Sequence, residues 1–335
     1  MRRKTIVFVL IAALLVATGG VSIWAGGSQE EASGPIVIRA TQENAPTHPV
    51  GIGFERFKEL LESRSNGEFR VNVYHSAALG SQREMVEGTQ LNTIQVAAVP
   101  AGYMASFSPV HDIFSMPFLF RDIEHFVNVI NGPLMDEMEG SLAEIGLYPL
   151  GYSTSGYRQI YANRPIERLE DMQGLRIRVM EVETIVDTIE ALGAQPVPIG
   201  FGEVYTALQT GTVDGGETSI ISWYASSHHE VAPYLAKVNY MDSGRVYFAN
   251  QEFMDSLTEA QRTMVREAMR DAIADINELY EEQQNEVENE IVPTLDGVRI
   301  TTPDLDPFRE AAMAVYENNP PTLGMEWIQR IRDTQ

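Results

Sequence analysis

The sequence contains no cysteine. Disulfides, thiol catalysis and thiolate metal sites are excluded at once. Positive charge is also scarce: 24 Lys and Arg stand against 47 Asp and Glu, a formal charge of −23. A field of that sign argues against nucleic acid or an anionic membrane as the main partner. It does not exclude a small anion, because a local pair of arginines dominates at contact distance. No internal repeat is visible, and low complexity is confined to a short lead-in near the N-terminus. Catalytic signatures are missing too. "GYSTSG" is not a nucleophile elbow. "VGIGFER" lacks the third glycine of a dinucleotide loop. There is no H-E-x-x-H, P-loop or calcium loop, and no carboxylate pair in a recognisable acid–base motif. The expectation is a protein that is not an enzyme and carries no cofactor or metal.

What is present bounds the answer further. The chain has 335 residues, 44% of them apolar, enough for about two domains with real cores. Arg2, Arg3 and Lys4 precede an apolar run from Ile6 to Ala17, too short for an ordinary transmembrane helix. Small residues follow. This pattern predicts a signal peptide over 1–25, cut after Ala25, and a disordered lead-in over 26–35. With no cysteine at the cut, it is not a lipoprotein signal. The expected location is the periplasm.

The remaining chain alternates short strands with helices, which indicates α/β architecture. "IVIRAT", "FRVNVYH" and "TIQVAAV" read as strands of a first unit. Pro49 opens a helix whose Phe54, Phe57 and Leu61 share a face. A second unit begins near Tyr152, with strands in "GYRQIYA", "LRIRVM" and "VDGGE". Helices fill Glu183 to Leu192 and "GEVYTALQTG", the latter closed by Gly211. From Thr258, a capping box with Gln261 starts an apolar periodicity that runs through Val265, Met269, Ile273, Ile276 and Tyr280 to Ile291. Such a helix would span about 50 Å, enough to back both units. A break near 281–284 is the alternative. Two α/β lobes, a shared spine and export together predict a hinged protein that binds a ligand in a cleft.

Arg176 and Arg178 alternate within "LRIRVM" and share a strand face opposite Leu175, Ile177 and Val179. Ligand crevices in open α/β sheets lie beyond the C-terminal strand ends. Arg178 is therefore the better ligand residue, and Arg176 the solvated or hinge-facing one. An arginine fork matches a carboxylate with two parallel hydrogen bonds. The competing reading is a structural ion pair of Arg178 with Glu203 or Glu217.

The run from Gly156 to Glu217 resembles the second lobe of the DctP-type substrate-binding proteins of tripartite ATP-independent periplasmic (TRAP) transporters. The matching elements are Arg158 after a Gly-aromatic step, "DMQGLRIRV", "LGAQPVPI", "EVYTALQTG" and "VDGGE". "APTHPVG", "LGSQREM" and "FSMPFLF" agree more loosely in the first lobe. The resemblance implies a two-lobe periplasmic binding protein fold of type II-like form, with a hinge, crossing strands and a long helix spanning both lobes. Lobe I would hold 36–155 and about 244–283, and lobe II 156–243 and about 284–335. The resemblance also implies that Arg178 forms the carboxylate clamp, Arg158 supports it, and Phe201 lines the cleft. The family often continues "DGQENP", where this chain has "DGGETS". Thr218 therefore replaces a ligand-facing asparagine, and the substrate class is open.

The other candidates each carry two readings. Glu217 and Thr218 sit at the turn after "VDGG". Trp223 and Tyr224 either stack on a sugar-like ring or pack between lobes. In the first strand–helix loop, Asn44 and His48 follow Glu43. There His48 is a ligand or a loop-fixing residue. Arg83 and Glu84 either bind ligand hydroxyls or cap and solvate a helix. Tyr103 is a cleft candidate. His228 and His229 are adjacent, so they cannot both face one metal on a helix and read as surface residues. Arg245 is left undecided. The expected ligand is an organic acid, with sugar acids ahead of dicarboxylates. The expected partners are the small and large TRAP membrane subunits, and the expected state is a monomer. A periplasmic sensor module presenting the same ligand to a receptor is the alternative role.

Overall fold

The computed structural model of the protein describes residues 34–335. The expected signal peptide, 1–25, and nearly all of the lead-in lie outside these residues. Among the described residues there are eleven strands: β1 Ile36–Thr41, β2 Phe69–Tyr74, β3 Val96–Pro100, β4 Leu147–Ser153, β5 Arg158–Ala162, β6 Arg176–Val179, β7 Gln195–Pro198, β8 Gly215–Ser219, β9 Tyr234–Met241, β10 Arg245–Asn250 and β11 Arg299–Thr301. They form two sheets, ordered β2-β1-β3-β10-β4 and β11-β9-β5-β8-β6-β7. Both sheets are mainly parallel, and each holds one antiparallel member, β10 or β5. These two strands follow the points where the chain crosses between sheets, after Ser153 and after Met241. Central strands such as "VAAVP" in β3 are buried along their length, as expected when helices cover both faces of a parallel sheet.

Twelve α-helices among the described residues surround the sheets: α1 Pro49–Arg64, α2 Gln82–Gln90, α3 Ile123–Ile130, α4 Pro133–Ala143, α5 Glu183–Ala191, α6 Val204–Gln209, α7 Ile220–Ala225, α8 His228–Val231, α9 Gln251–Ser256, α10 Glu259–Glu286, α11 Asp306–Asn318 and α12 Met325–Asp333. The capping box at the start of α10 is formed: Gln261 N–H donates to Thr258 Oγ1 and Thr258 N–H to Gln261 Oε1. The helix is unbroken for 28 residues, about 42 Å. It then loosens into a π-helical turn, Val287–Ile291, so the irregularity falls past the expected 281–284. Its buried stripe, Val265 to Tyr280, packs on α1 and β4.

Two continuous apolar clusters result, and each draws on both sheets. One contains Val99 and Val246 with Ile160 and Val179. The other contains Ile38 and Ala98 with Tyr161 and Leu235. The two-lobe α/β fold read from the sequence is therefore present. Strands β4, β9, β10 and β11 were not read from the sequence. Among the described residues no helix is long and apolar enough to cross a membrane.

Candidate ligand-binding site

The crossing strands place two arginines at equivalent positions. Arg158 is the first residue of β5 and lies opposite Ser219 at the C-terminal end of β8. Arg245 is the first residue of β10, opposite Pro100 at the end of β3 and Ser153 at the end of β4. An antiparallel strand begins where its parallel neighbours finish. Both side chains therefore reach the edge at which α/β sheets bind ligands.

Each of these arginines has a buried glutamate partner: Glu217 in β8 for Arg158, and Glu43 in the loop just after β1 for Arg245. Arg158 Nε donates to Glu217 Oε2, and its Nη2 donates to the Glu217 carbonyl at 2.8 Å. Arg245 grips Glu43 with two bonds of 3.0 and 2.9 Å. Burial alone would lower both guanidinium pKa values. The paired carboxylates outweigh it, and both shift upward.

Arg178 differs. It is only 1% exposed, and its Nε donates to the Ile199 carbonyl at 2.8 Å. Its Nη1 and Nη2 have no hydrogen-bond partner. The nearest carboxylate oxygen, Glu217 Oε1, is 3.9 Å away, and that carboxylate already accepts from Arg158, from Tyr240 Oη at 2.6 Å and from Met180 N–H. Burial pulls the Arg178 pKa down, and Glu217 only partly offsets it. One carboxylate thus serves two buried cations. An unpaired buried donor costs about 1–3 kcal/mol, and more when charged, so the Arg178 fork is left with two charged donors that an added acceptor would satisfy.

Between the sheets lies a small cavity lined by Glu43, Asn44, Gln82, Arg158, Phe201 and Thr218. Pro100, Ser155, Met180, Ser219, Ser222, Ser243, Arg245 and Tyr280 complete it. It leaves about 20 Å³ for a water-sized sphere, room for about one water. A larger cavity of about 990 Å³ opens elsewhere, beside Phe118, Arg121 and Asn277, and contains none of the three arginines. The small cavity holds the chemistry despite its size. Unpartnered buried atoms converge on it: Asn44 Oδ1, Arg245 Nε and the Tyr280 hydroxyl. Arg178 lies just behind the lining, with its guanidinium carbon 5.8 Å from the centre of the half-buried Phe201 ring.

The structure therefore brings Asn44, Arg158, Phe201 and Thr218 to the cavity, with Glu217 and Arg178 directly behind. Other candidates are placed elsewhere. Trp223 is fully buried in an apolar cluster, and its indole N–H donates to the Ala232 carbonyl at 3.0 Å. It packs rather than stacks on a ligand. Arg83 is exposed, pairs with Glu87 at 3.6 Å and lies over Phe107, while Glu84 caps α2 through Ser81. One residue earlier on the helix, Gln82 points inward instead and donates to Glu43. Tyr103 is buried with an unpartnered hydroxyl, but it does not line the cavity.

His48 fixes its loop. Its Nδ1 accepts the Val50 N–H, capping α1, and its Nε2 meets Ser222 Oγ at 3.1 Å. Burial holds its pKa well below the usual range, so the ring is neutral. Arg176 is tied to Asp214 by two bonds of 2.9 and 2.7 Å, a scaffold role. His228 is buried, contrary to the surface placement: Tyr161 Oη meets its Nδ1 at 2.9 Å and the rings stack. Sequence reasoning left Arg245 undecided and missed Tyr280 and the serines of the lining. The strand "RVYFAN" carried the signal for Arg245, once its antiparallel direction is known.

The "DGGE" departure has a physical counterpart. A Cβ at Gly216 would lie 2.5 Å from the Tyr161 hydroxyl. A larger residue there is incompatible with the Tyr161–His228 pair. Among the described residues, no group of three His, Asp or Glu is arranged to hold a metal.

Similarity to known proteins agrees with this architecture. An uncharacterised protein, YiiZ, of Salmonella typhimurium is 31% identical over 307 residues, covering 89% of this chain and 92% of its own. A TRAP periplasmic solute-binding protein from Xanthobacter autotrophicus, solved with bound β-D-galacturonate, superposes with a TM-score of 0.84 at 28% identity, covering 89% of this chain and all of that one. Another from Shewanella oneidensis, with bound succinate, gives 0.85 at 26% identity, covering 89% and 98%. The model of the bacterial extracellular solute-binding protein family 7 matches residues 40–319. The chain belongs to this DctP family of TRAP solute-binding proteins.

Proposed function

We propose that the protein captures a carboxylate-containing organic acid, a sugar acid before others, and delivers it to the small and large membrane subunits of a TRAP transporter. It acts in the periplasm as a monomer, after removal of residues 1–25. Lobe I comprises 36–155 and about 244–283, and lobe II 156–243 and about 284–335. The sheet membership of β1–β4 and β10 against β5–β9 and β11 supports this division. Arg178 holds the ligand carboxylate through its fork, Arg158 flanks it, and Phe201 covers both. The carrying observation is the Arg178 guanidinium, buried with two nitrogens unpartnered beside a glutamate already committed to Arg158. The hydroxyl-rich lining of Ser155, Thr218, Ser219, Ser222 and Ser243 supports a polyhydroxylated ligand. A sugar acid exceeds the present cavity, so entry requires the lobes to part about their hinge.

The test is thermal unfolding of residues 26–335 against a panel of organic acids and their neutral analogues. An acid at 100 times its Kd adds about 2.7 kcal/mol, a midpoint shift of about 4 °C for a chain of this size. An acid should shift the midpoint where its neutral analogue does not. Equal shifts from both would refute the clamp.

A further inference from the structure

The two crossing-strand arginines occupy equivalent positions but carry different charge balances. On the β5 side stand Arg158, Arg178 and Glu217, and on the β10 side stand Arg245 and Glu43. The first group sums to one positive charge and the second to none. The remaining titratable neighbours do not alter the count at the cavity wall. His48 is neutral, Tyr280 is held protonated by burial, and Asp242 does not line the cavity. Asp242 is already enclosed by donors from Thr154, Ser155 and Gly244.

Resting on the clamp reading above, we propose that the Arg245–Glu43 pair is the subsite for the neutral end of the ligand. It selects polyhydroxy monocarboxylates against dicarboxylates. A hydroxyl suits it from both sides. Arg245 Nε offers an unused donor, Glu43 and Asn44 Oδ1 offer acceptors, and the Tyr280 hydroxyl can do either. A second carboxylate fits poorly. It is acceptor-only, it leaves Asn44 Oδ1 without a donor, and it sets a negative charge beside Glu43 where Arg245 is already neutralised. Like charges juxtaposed in a desolvated site are strongly disfavoured. Gln82 Nε2 and the two Arg245 bonds hold the Glu43 carboxylate in place, so it cannot swing away.

Calorimetry with matched acids tests this on the whole secreted chain. D-galactonate and galactarate are open-chain acids of one carbon skeleton that differ in whether the far end is a hydroxymethyl group or a second carboxylate. D-gluconate with glucarate is a second such pair, and succinate is a small dicarboxylate. The native protein should bind the monocarboxylate of a pair at least about tenfold tighter. Glu43→Gln should erase or invert that ratio, because the far end then carries net positive charge. A Glu43→Leu/Arg245→Met double variant removes the pair without stranding either charge. It should weaken the monocarboxylate of a pair more than the dicarboxylate, so that the discrimination is lost. Tighter binding of a dicarboxylate, abolished by Arg178→Gln, would overturn the subsite and leave the clamp standing. An unchanged ratio in both Glu43 variants would also overturn it. Failure of every acid to bind the native protein would overturn clamp and subsite together.

Discussion

Replacing Arg178 by methionine should make the unliganded protein more stable and the binding site useless. The guanidinium is buried, two of its nitrogens are unpartnered, and its only nearby carboxylate is shared with Arg158. Each unsatisfied buried donor costs about 1–3 kcal/mol. Well-packed apolar replacement of buried ionic groups is often stabilising by about 1–4 kcal/mol. Methionine approximates the arginine stem in length and adapts to irregular space. The one hydrogen bond lost is that of Nε to the Ile199 carbonyl, about 1 kcal/mol, along with the long 3.9 Å approach to Glu217 and the contact with the Phe201 ring. A net gain of about 2 kcal/mol follows. With an unfolding entropy of about 2.1 cal/mol/K per residue, that is roughly 3 °C for the described chain. Affinity for the carboxylate should fall by about 2–5 kcal/mol, more than thirtyfold, because the charge partner of a desolvated anion is gone. Scanning calorimetry of the free protein and titration with a binding acid give both numbers. A structural ion pair predicts the reverse: a lower midpoint and little change in affinity. That outcome would falsify the assignment of Arg178 as the anion site.

Glu217→Gln acts in the opposite sense. It leaves Arg158 and Arg178 without a carboxylate, so the free protein should lose about 3–5 kcal/mol. A bound acid supplies the missing charge, so its thermal shift should exceed that of the native protein; an equal or smaller shift contradicts the shared-carboxylate argument. A different test concerns pH. Burial pushes His111 down to about 4. Below about pH 6.5 the unfolded chain binds a proton there that the folded chain refuses. Stability from this group is complete above pH 6.5 and is lost as pH falls toward 4, by about 1.4 kcal/mol per unit. His111→Asn should reduce the stability difference between pH 7 and pH 5 by about 2 kcal/mol in denaturant titrations, whatever its cost at pH 7. An unchanged difference rejects a neutral buried ring. Finally, Gly216→Ala places a methyl against the Tyr161 hydroxyl and should cost about 1–3 kcal/mol. Tyr161→Phe in the same chain should recover part of it, and additivity of the two changes would rule out the proposed contact.

Much of the frame was legible because its signals are local. The capping box of Thr258 and Gln261 and the apolar stripe that follows are written in consecutive residues. So is the alternation that buries Ile177 and Val179 in β6. The site was less legible because its pairings depend on register between distant strands. Nothing near Arg245 in sequence announces Glu43, 202 positions away. The crossing strands β5 and β10 lack the alternation of a half-solvated strand, since both are buried throughout. Trp223 misled because an indole at a cleft and an indole in a core have the same composition. Only the Ala232 carbonyl that takes its N–H distinguishes them. Arg83 and Gln82 differ by one residue, about 100° around α2, and that rotation decides which one meets Glu43.

The distribution of charge between the sheets bears on how the lobes can move at low cost. Arg158 pairs with Glu217 of the same sheet, and Arg245 pairs with Glu43, two residues past the end of β1 in the other sheet. Parting the sheets therefore breaks neither ion pair. Of the bonds that do cross, some are neutral, such as His48 to Ser222 and Phe118 N–H to the Tyr240 carbonyl, and others involve a charged group, such as Asp112 with Thr322 and Arg121 with the Arg332 and Thr334 carbonyls. Each neutral one is worth about 1 kcal/mol net and is replaced by water on opening. Arg178 gains most from that opening, because water can reach the two nitrogens that the protein leaves unpartnered. Without an acid, hydration of Arg178 thus favours the open form. On the proposed clamp, a carboxylate would supply the same hydrogen bonds in the closed form and add the countercharge. The acid then shifts the equilibrium by its differential affinity for the closed state, as any ligand-driven closure requires. On this account Arg178→Met should leave a protein that stays closed without ligand, visible in solution scattering as a smaller radius that acids no longer change. A radius for that variant equal to that of the native unliganded protein, still shrinking on addition of acid, would refute the argument.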